Sequence, residues 1–159
     1  MWMKHIGVIL LFWFGFMADS FAADFYVTTN ADAGPGSLRA AILNANSNPV
    51  GPKDHIFFNI PAPNKGLDLT ISLNTELPPL TSNLVIDGTT QSGIFFDSPY
   101  IRIHIRRNNV PIFFNGLVLL DVNSVEIYGL YFTNFHEASP SIRDIKAAIY
   151  LSGSANITI

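Results

Sequence analysis

The chain contains no cysteine among its 159 residues. It can therefore form no disulfide, hold no thiolate-bound metal and carry no lipid on a processed N-terminal cysteine. Small secreted folds with thin cores rely on such staples, so their absence directs stability to packing over an extended interior. Charge is scarce as well: Asp, Glu, Lys and Arg make up 13% of the residues against 48% apolar ones, where an ordinary soluble domain carries about 25% charge. That balance excludes a disordered chain and favours a stacked, heavily buried β architecture. With a net charge of −3 and no basic run, the counterion release that drives nucleic-acid binding has little to act on, and no nucleic-acid partner is expected. No motif for a cofactor or a metal stands out.

What is present starts with a leader. Lys4 and His5 give a positive start, residues 6–17 form an apolar run, and Ser20-Phe21-Ala22 ends in a small-x-small pattern. These are the parts of a secretory signal peptide, with cleavage expected after Ala22. The apolar run is followed by Asp19 and falls short of the roughly 20 residues that a membrane span needs. No later segment is long and apolar enough to span a bilayer as a helix. Export to the periplasm, the cell surface or the medium is the expectation, and the remaining length suits one domain.

In the mature chain, residues 25–29 are rich in aromatic and β-branched side chains and read as a strand, stopped by the turn-forming Gly34, Pro35 and Gly36. Ser37 can cap a short helix whose apolar residues Leu38, Ala41, Ile42 and Ala45 recur on one face. From His55 onward the pattern changes to short apolar pieces at 56–60, 69–73, 84–86, 101–105, 117–120, 125–127, 130–132, 149–151 and 157–159. Prolines fall between these pieces, where a residue without an N–H breaks no ladder.

The pieces repeat. Leu117, Leu119, Val125 and Ile127 match Ile149, Leu151, Ile157 and Ile159 at an offset of 32, and residues 83–88 match 124–129 at an offset of 41. Asn83 and Asn156 each open a strand, where tolerance of left-handed geometry suits a turn. A fixed strand pattern with a varying offset means loops of different length on a common coil, and each coil buries its apolar positions only when another stacks on it. The predicted fold is all-β, a right-handed parallel β-helix, with an antiparallel β-sandwich as the alternative. Residues 1–22 form the signal peptide, 23–54 a cap of strand and helix, and 55–159 the coils. Ile159 matches a core-facing strand position with no capping element after it, so a truncated C-terminus and end-to-end self-association of the chain are expected.

The run 26–42, above all Gly36-Ser37-Leu38-Arg39 followed by Ala41-Ile42, resembles the N-terminal signature of secreted bacterial β-helix proteins, including CSLREA-type domains and relatives of the pectin-lyase-like superfamily. Gly36 stands where the name motif has cysteine, and Ala40 where it has glutamate. Residues 56–61 and 85–91 are similar to the segments that follow in such proteins. The resemblance implies a cap over the end of a coil stack. It covers surface-displayed proteins, adhesins and polysaccharide-degrading enzymes alike, so it does not choose an activity.

A carbohydrate-active β-helix enzyme needs carboxylates that converge with a basic residue on neighbouring coils, sometimes around calcium. In the repeat register Asp87 matches Tyr128, Glu126 matches Val85 and Thr158, and Asp121 matches Gly153, so no carboxylate stacks on another. Arg102, His104 and Arg106 alternate with Ile101, Ile103 and Ile105, which puts three basic groups on one strand face and makes them the candidate ligand-binding residues, for an acidic polysaccharide or cell-surface glycan. The plainer reading is a solvated outer face. His136-Glu137 lacks the second histidine of a zinc motif, and His55 reads as a strand-edge residue. Phe95, Phe96, Tyr100, Phe113, Phe114, Tyr131, Phe132 and Phe135 read as core, with sugar stacking as the alternative. The expected function is thus non-catalytic binding, adhesion or display, the alternative being a polysaccharide lyase or glycoside hydrolase whose site lies on loops or beyond residue 159.

Overall fold

The computed structural model describes residues 21–48, 51–61, 69–93, 103–135 and 146–159. In chain order its elements are β1 (Asp24–Val27), α1 (Leu38–Asn46), β2 (Asp54–Phe58), β3 (Thr70–Leu73), β4 (Leu84–Asp87), β5 (Ile103–Arg107), β6 (Leu117–Leu120), β7 (Asn123–Tyr128), β8 (Leu130–Thr133), β9 (Ile149–Ser152) and β10 (Ala155–Thr158). Every strand pairing is parallel, which rules out the antiparallel sandwich. The first sheet runs β1-β2-β4-β7-β10, the second β3-β5-β8 and the third β6-β9, with Leu80 bridging to Leu119 ahead of β6. Because the chain visits the sheets in turn, it winds a parallel β-solenoid of about three turns, the architecture that parallel crossovers allow without helices on the sheet faces.

The repeat register holds in three dimensions. Leu117 faces Ile149 and Leu119 faces Leu151 across the third sheet, while Leu84, Val125 and Ile157 follow one another in the first. Inward residues form columns along the solenoid axis. Phe25, Ile56, Ile86 and Ile127 make one, and Ile71, Ile105 and Phe132 another. Strands about 4.8 Å apart bring these side chains into direct contact, each buried aliphatic contributing about 1.5–3 kcal/mol. At the corner leading into the first sheet, Asn83, Ser124 and Asn156 take φ of 59°, 62° and 53°. The same left-handed bend thus recurs once per coil, at residues that tolerate it or fit a turn.

The helix closes the N-terminal end. Ser37 caps it, its Oγ accepting from Ala40 N–H at 3.2 Å, and Leu38, Ala41, Ile42 and Ala45 are buried against the β1 and β2 layer. Gly36 has φ +76°, and a Cβ there would come 2.3 Å from Thr28 Oγ1, because its carbonyl is drawn in to accept Thr28 and Thr29 N–H at 2.8 and 3.2 Å. Arg39 reaches from the helix to the Asp32 carboxylate at 2.7 Å and to the carbonyls of Thr75 and Glu76 at 3.0 and 2.6 Å. The run 36–42 is therefore a structural joint between cap and first coil. β1 is itself the outermost strand of the first sheet and Asp54 already belongs to β2, so sheet and cap are continuous across residues 54–55. At the other end β10 closes at Thr158, one residue before the predicted strand end.

Candidate functional site

The basic strand lies in the second sheet. Ile103 and Ile105 point inward and are fully buried, and His104 and Arg106 point outward; Arg102 and Ile101 lie outside the described residues. His104 sits between two neighbouring coils, its Nδ1 3.2 Å from Thr70 Oγ1 and its Nε2 2.7 Å from Thr133 Oγ1, with its ring 5.1 Å from that of Tyr131. Burial, seconded by the Arg106 charge, lowers its pKa, which favours the neutral imidazole. Arg106 donates to Ser72 Oγ at 3.1 Å. The structure thus brings two of the three candidates onto one face but makes it a hydroxyl and imidazole surface, with Arg106 as its charge among the described residues.

Arg107 follows the inward phase of Ile103 and Ile105, which puts a charged residue on the core side. It takes an inward position opposite Leu73 and is buried, donating to the carbonyls of Asn134 and Val110 at 2.7 and 2.9 Å and lying 4.4 Å over the Phe113 ring. Its long stem fills core space while the guanidinium satisfies turn carbonyls at the corner. Phe114 and Phe135 are core residues as expected, in edge contact at 6.2 Å; Tyr131 is exposed. Phe95, Phe96, Tyr100, His136 and Glu137 lie outside the described residues.

The first sheet carries a second outward face that the strand pattern alone did not single out. Tyr26, Phe57, Asp87 and Tyr128 form one row across four adjacent strands. Tyr26 is 56% exposed, and its ring lies 5.7 Å from that of Phe57. His55 stands edge-on to Phe57 at 5.5 Å, inside the sheet face. Beside the row, Glu126 accepts from Lys53 Nζ and, at 2.9 Å, from Tyr128 Oη. The Lys53 and Tyr128 hydrogen bonds, in that order, hold the Glu126 carboxyl below its usual range, and the same bond raises the Tyr128 phenol. Asp87 accepts from Thr89 N–H at 2.9 Å and Thr89 Oγ1 at 2.5 Å. The signal for this face was the outward phase of residues 24–28 and 54–58, where Tyr26, His55 and Phe57 put rings at three of the five outward positions.

Chemically, this face offers ring surfaces and hydrogen-bonding groups. A general acid for glycoside cleavage needs a carboxyl whose pKa is pushed up, whereas Glu126 is pushed down and Asp87 is committed to its own turn. The exposed rings, with carboxylate, phenol and ammonium groups beside them, instead form an amphipathic platform of the kind on which sugar rings lie. A cleft of ≈ 250 Å³ at the end of β8, lined by Thr133, Asn134, Phe135 and Lys146 among others, is smaller than the roughly 300–1,000 Å³ of ordinary ligand pockets. Comparison with protein-family models, curated proteins and solved structures gives no match. The fold and its faces define the class of protein: a parallel β-solenoid with a helical N-terminal cap.

Proposed function

We propose that the protein is exported and binds a glycan chain along the outer face of its five-stranded sheet, without cleaving it. The observation that carries this reading is the row Tyr26, Phe57, Asp87 and Tyr128, three rings and a carboxylate spread over about 14 Å of sheet at the usual strand spacing. Rings stack on the apolar faces of sugars, and the flanking Glu126 and Lys53 offer hydrogen bonds to hydroxyls. The leader at residues 1–22 and the likeness of residues 26–42 to secreted bacterial β-helix proteins support the exported setting.

The test is affinity electrophoresis of the purified protein in gels containing neutral or acidic polysaccharides, one per gel. At least one polysaccharide should retard the wild type, and the double variant Tyr26→Ala/Phe57→Ala should weaken that retention about tenfold, as expected for the loss of two ring contacts. Arg106→Ser should leave it unchanged. Loss with Arg106→Ser but not with the ring variant would move the site to the second sheet, and release of shorter sugars would replace binding by catalysis.

A further inference from the structure

Asp54, at the start of β2, is 2% exposed. An ionised carboxylate so deeply placed is costly unless a charge and hydrogen bonds compensate it. Its described partners are neutral groups: Ala23 N–H donates to Oδ1 at 2.7 Å, and Asn48 Nδ2 donates to Oδ1 and Oδ2 at 3.0 and 3.2 Å. The ion pairs among the described residues are Arg39 with Asp32 and Lys53 with Glu126. Neither involves Asp54.

Ala23 is also where the chain enters the first sheet. Its carbonyl accepts His55 N–H at 2.9 Å, the first rung of the first sheet, while Phe21 and Ala22 are exposed. The small-x-small pattern of Ser20-Phe21-Ala22 puts the expected cleavage at the same bond. Two independent observations, one from sequence and one from packing, therefore meet at the Ala22–Ala23 peptide.

We infer that hydrolysis of the Ala22–Ala23 bond converts this neutral contact into a buried ion pair, with Asp54 and Asn48 acting as the receptor for the new N-terminus. Water is the co-substrate and a signal peptidase the catalyst. The C–N bond breaks, the oxygen of water joins the Ala22 carbonyl carbon to leave a carboxylate, and both its protons go to the Ala23 nitrogen, which becomes an ammonium. That nitrogen is already within hydrogen-bonding distance of Oδ1, while the Phe21 carbonyl, which accepts from Asn48 Nδ2 at 3.2 Å, departs with the leader. Leader removal and completion of the fold are thereby coupled, and the processed chain is more stable than any N-terminally blocked form. The inference rests on the export reading above.

The sign of the pH dependence follows from linkage. An α-amino group titrates at about 7.7–8.0 when unperturbed. Pairing with a buried carboxylate raises its folded-state value, so its stabilisation is full below that range and is lost as pH rises through the folded pKa.

The experiment compares the chain beginning at Ala23 with a free amine, its N-acetylated counterpart, and the Asp54→Asn version of each. At pH 6.5 the free-amine protein should melt at least about 4 °C above the acetylated one, the scale on which a single good interaction moves a domain of this size. The gap should close by about pH 10.5 and be absent in the Asp54→Asn pair. Equal melting temperatures at pH 6.5, or a gap that survives Asp54→Asn, would overturn the ion pair. Should Asp54→Asn fail to fold, the Ala23 amine pKa in the unsubstituted protein, read by NMR, decides: above 8 supports the pair, at or below 8 refutes it. N-terminal sequencing of the full chain after expression in a bacterium answers separately whether the bond is cut. Ala23 as first residue supports the assignment, and any other terminus removes it along with the export reading for this bond.

Discussion

Leu38 and Leu151 carry the same side chain, yet the first is 0% and the second 44% exposed. Leu38 belongs to the helix that closes the N-terminal end of the coil stack. Leu151 faces inward from the last described strand of the third sheet, where no described coil lies beyond it. Burial in a solenoid is conferred by the neighbouring layer and not by the residue itself. The contrast can be broken by truncation. Ile42→Ala, in the fully buried face of α1, should destabilise by about 2–5 kcal/mol, and Leu151→Ala by less than about 1 kcal/mol, because a half-exposed site leaves little cavity. Urea denaturation of both variants checks this, and comparable losses would mean that the two ends are equally well packed in solution.

Apolar contact is only part of what holds the closed end. Arg39 spans from α1 to Asp32 and to two carbonyls of the segment after β3, with the ion pair side chains four-fifths buried or more. Arg39→Ala should therefore cost about 1.5–3 kcal/mol, the range for hydrogen bonds to a charged group. Arg39→Lys should recover little of it, since an ammonium cannot reproduce a fork that serves four acceptors. Lys53→Ala, at a more exposed pair, gives the reference and should leave the melting temperature nearly unchanged. If the Arg39 and Lys53 variants melt alike, the joint between cap and coil is not the one described.

The same difference between layers explains how much could be read without the structure. Inward positions repeat because each must meet another apolar side chain one coil away, so the offsets of 32 and 41 appear in the sequence and reappear as Val125 beneath Leu84 and Ile157 beneath Val125. Asn83 and Asn156 were legible for a related reason, as left-handed corners restrict residue choice. Outward positions meet no such requirement. The row of Tyr26, Phe57 and Tyr128 brings together residues from separate coils at intervals set by loop length, and nothing local marks them as neighbours. Arg107 continues the inward phase of Ile103 and Ile105, and a long stem lets this charged residue occupy a core position. Asp54 falls at the end of the predicted cap; only the approach of Ala23 from 31 residues away gives it a role.

The smallest expected effect belongs to the middle of the stack, where a polar residue is layered on both sides. His104 lies between Thr70 of the coil before and Thr133 of the coil after, and burial followed by the Arg106 charge lowers its pKa below the ordinary 6.5. With the folded value depressed, the unfolded chain takes up the proton more readily, so this group's contribution to stability is full above about pH 6.5 and declines as pH falls from there towards the folded pKa. His104→Gln keeps a polar side chain without the titration. Its melting temperature should fall less steeply than that of the wild type between about pH 6.5 and 5, above the range where carboxylates protonate, and the difference should be smaller than the loss caused by Arg39→Ala. NMR titration of the His104 ring gives the same answer directly. A folded-state pKa at or above about 6.5, or parallel melting curves for wild type and variant, would show that the two neighbouring coils leave this imidazole as open to water as the half-exposed Leu151.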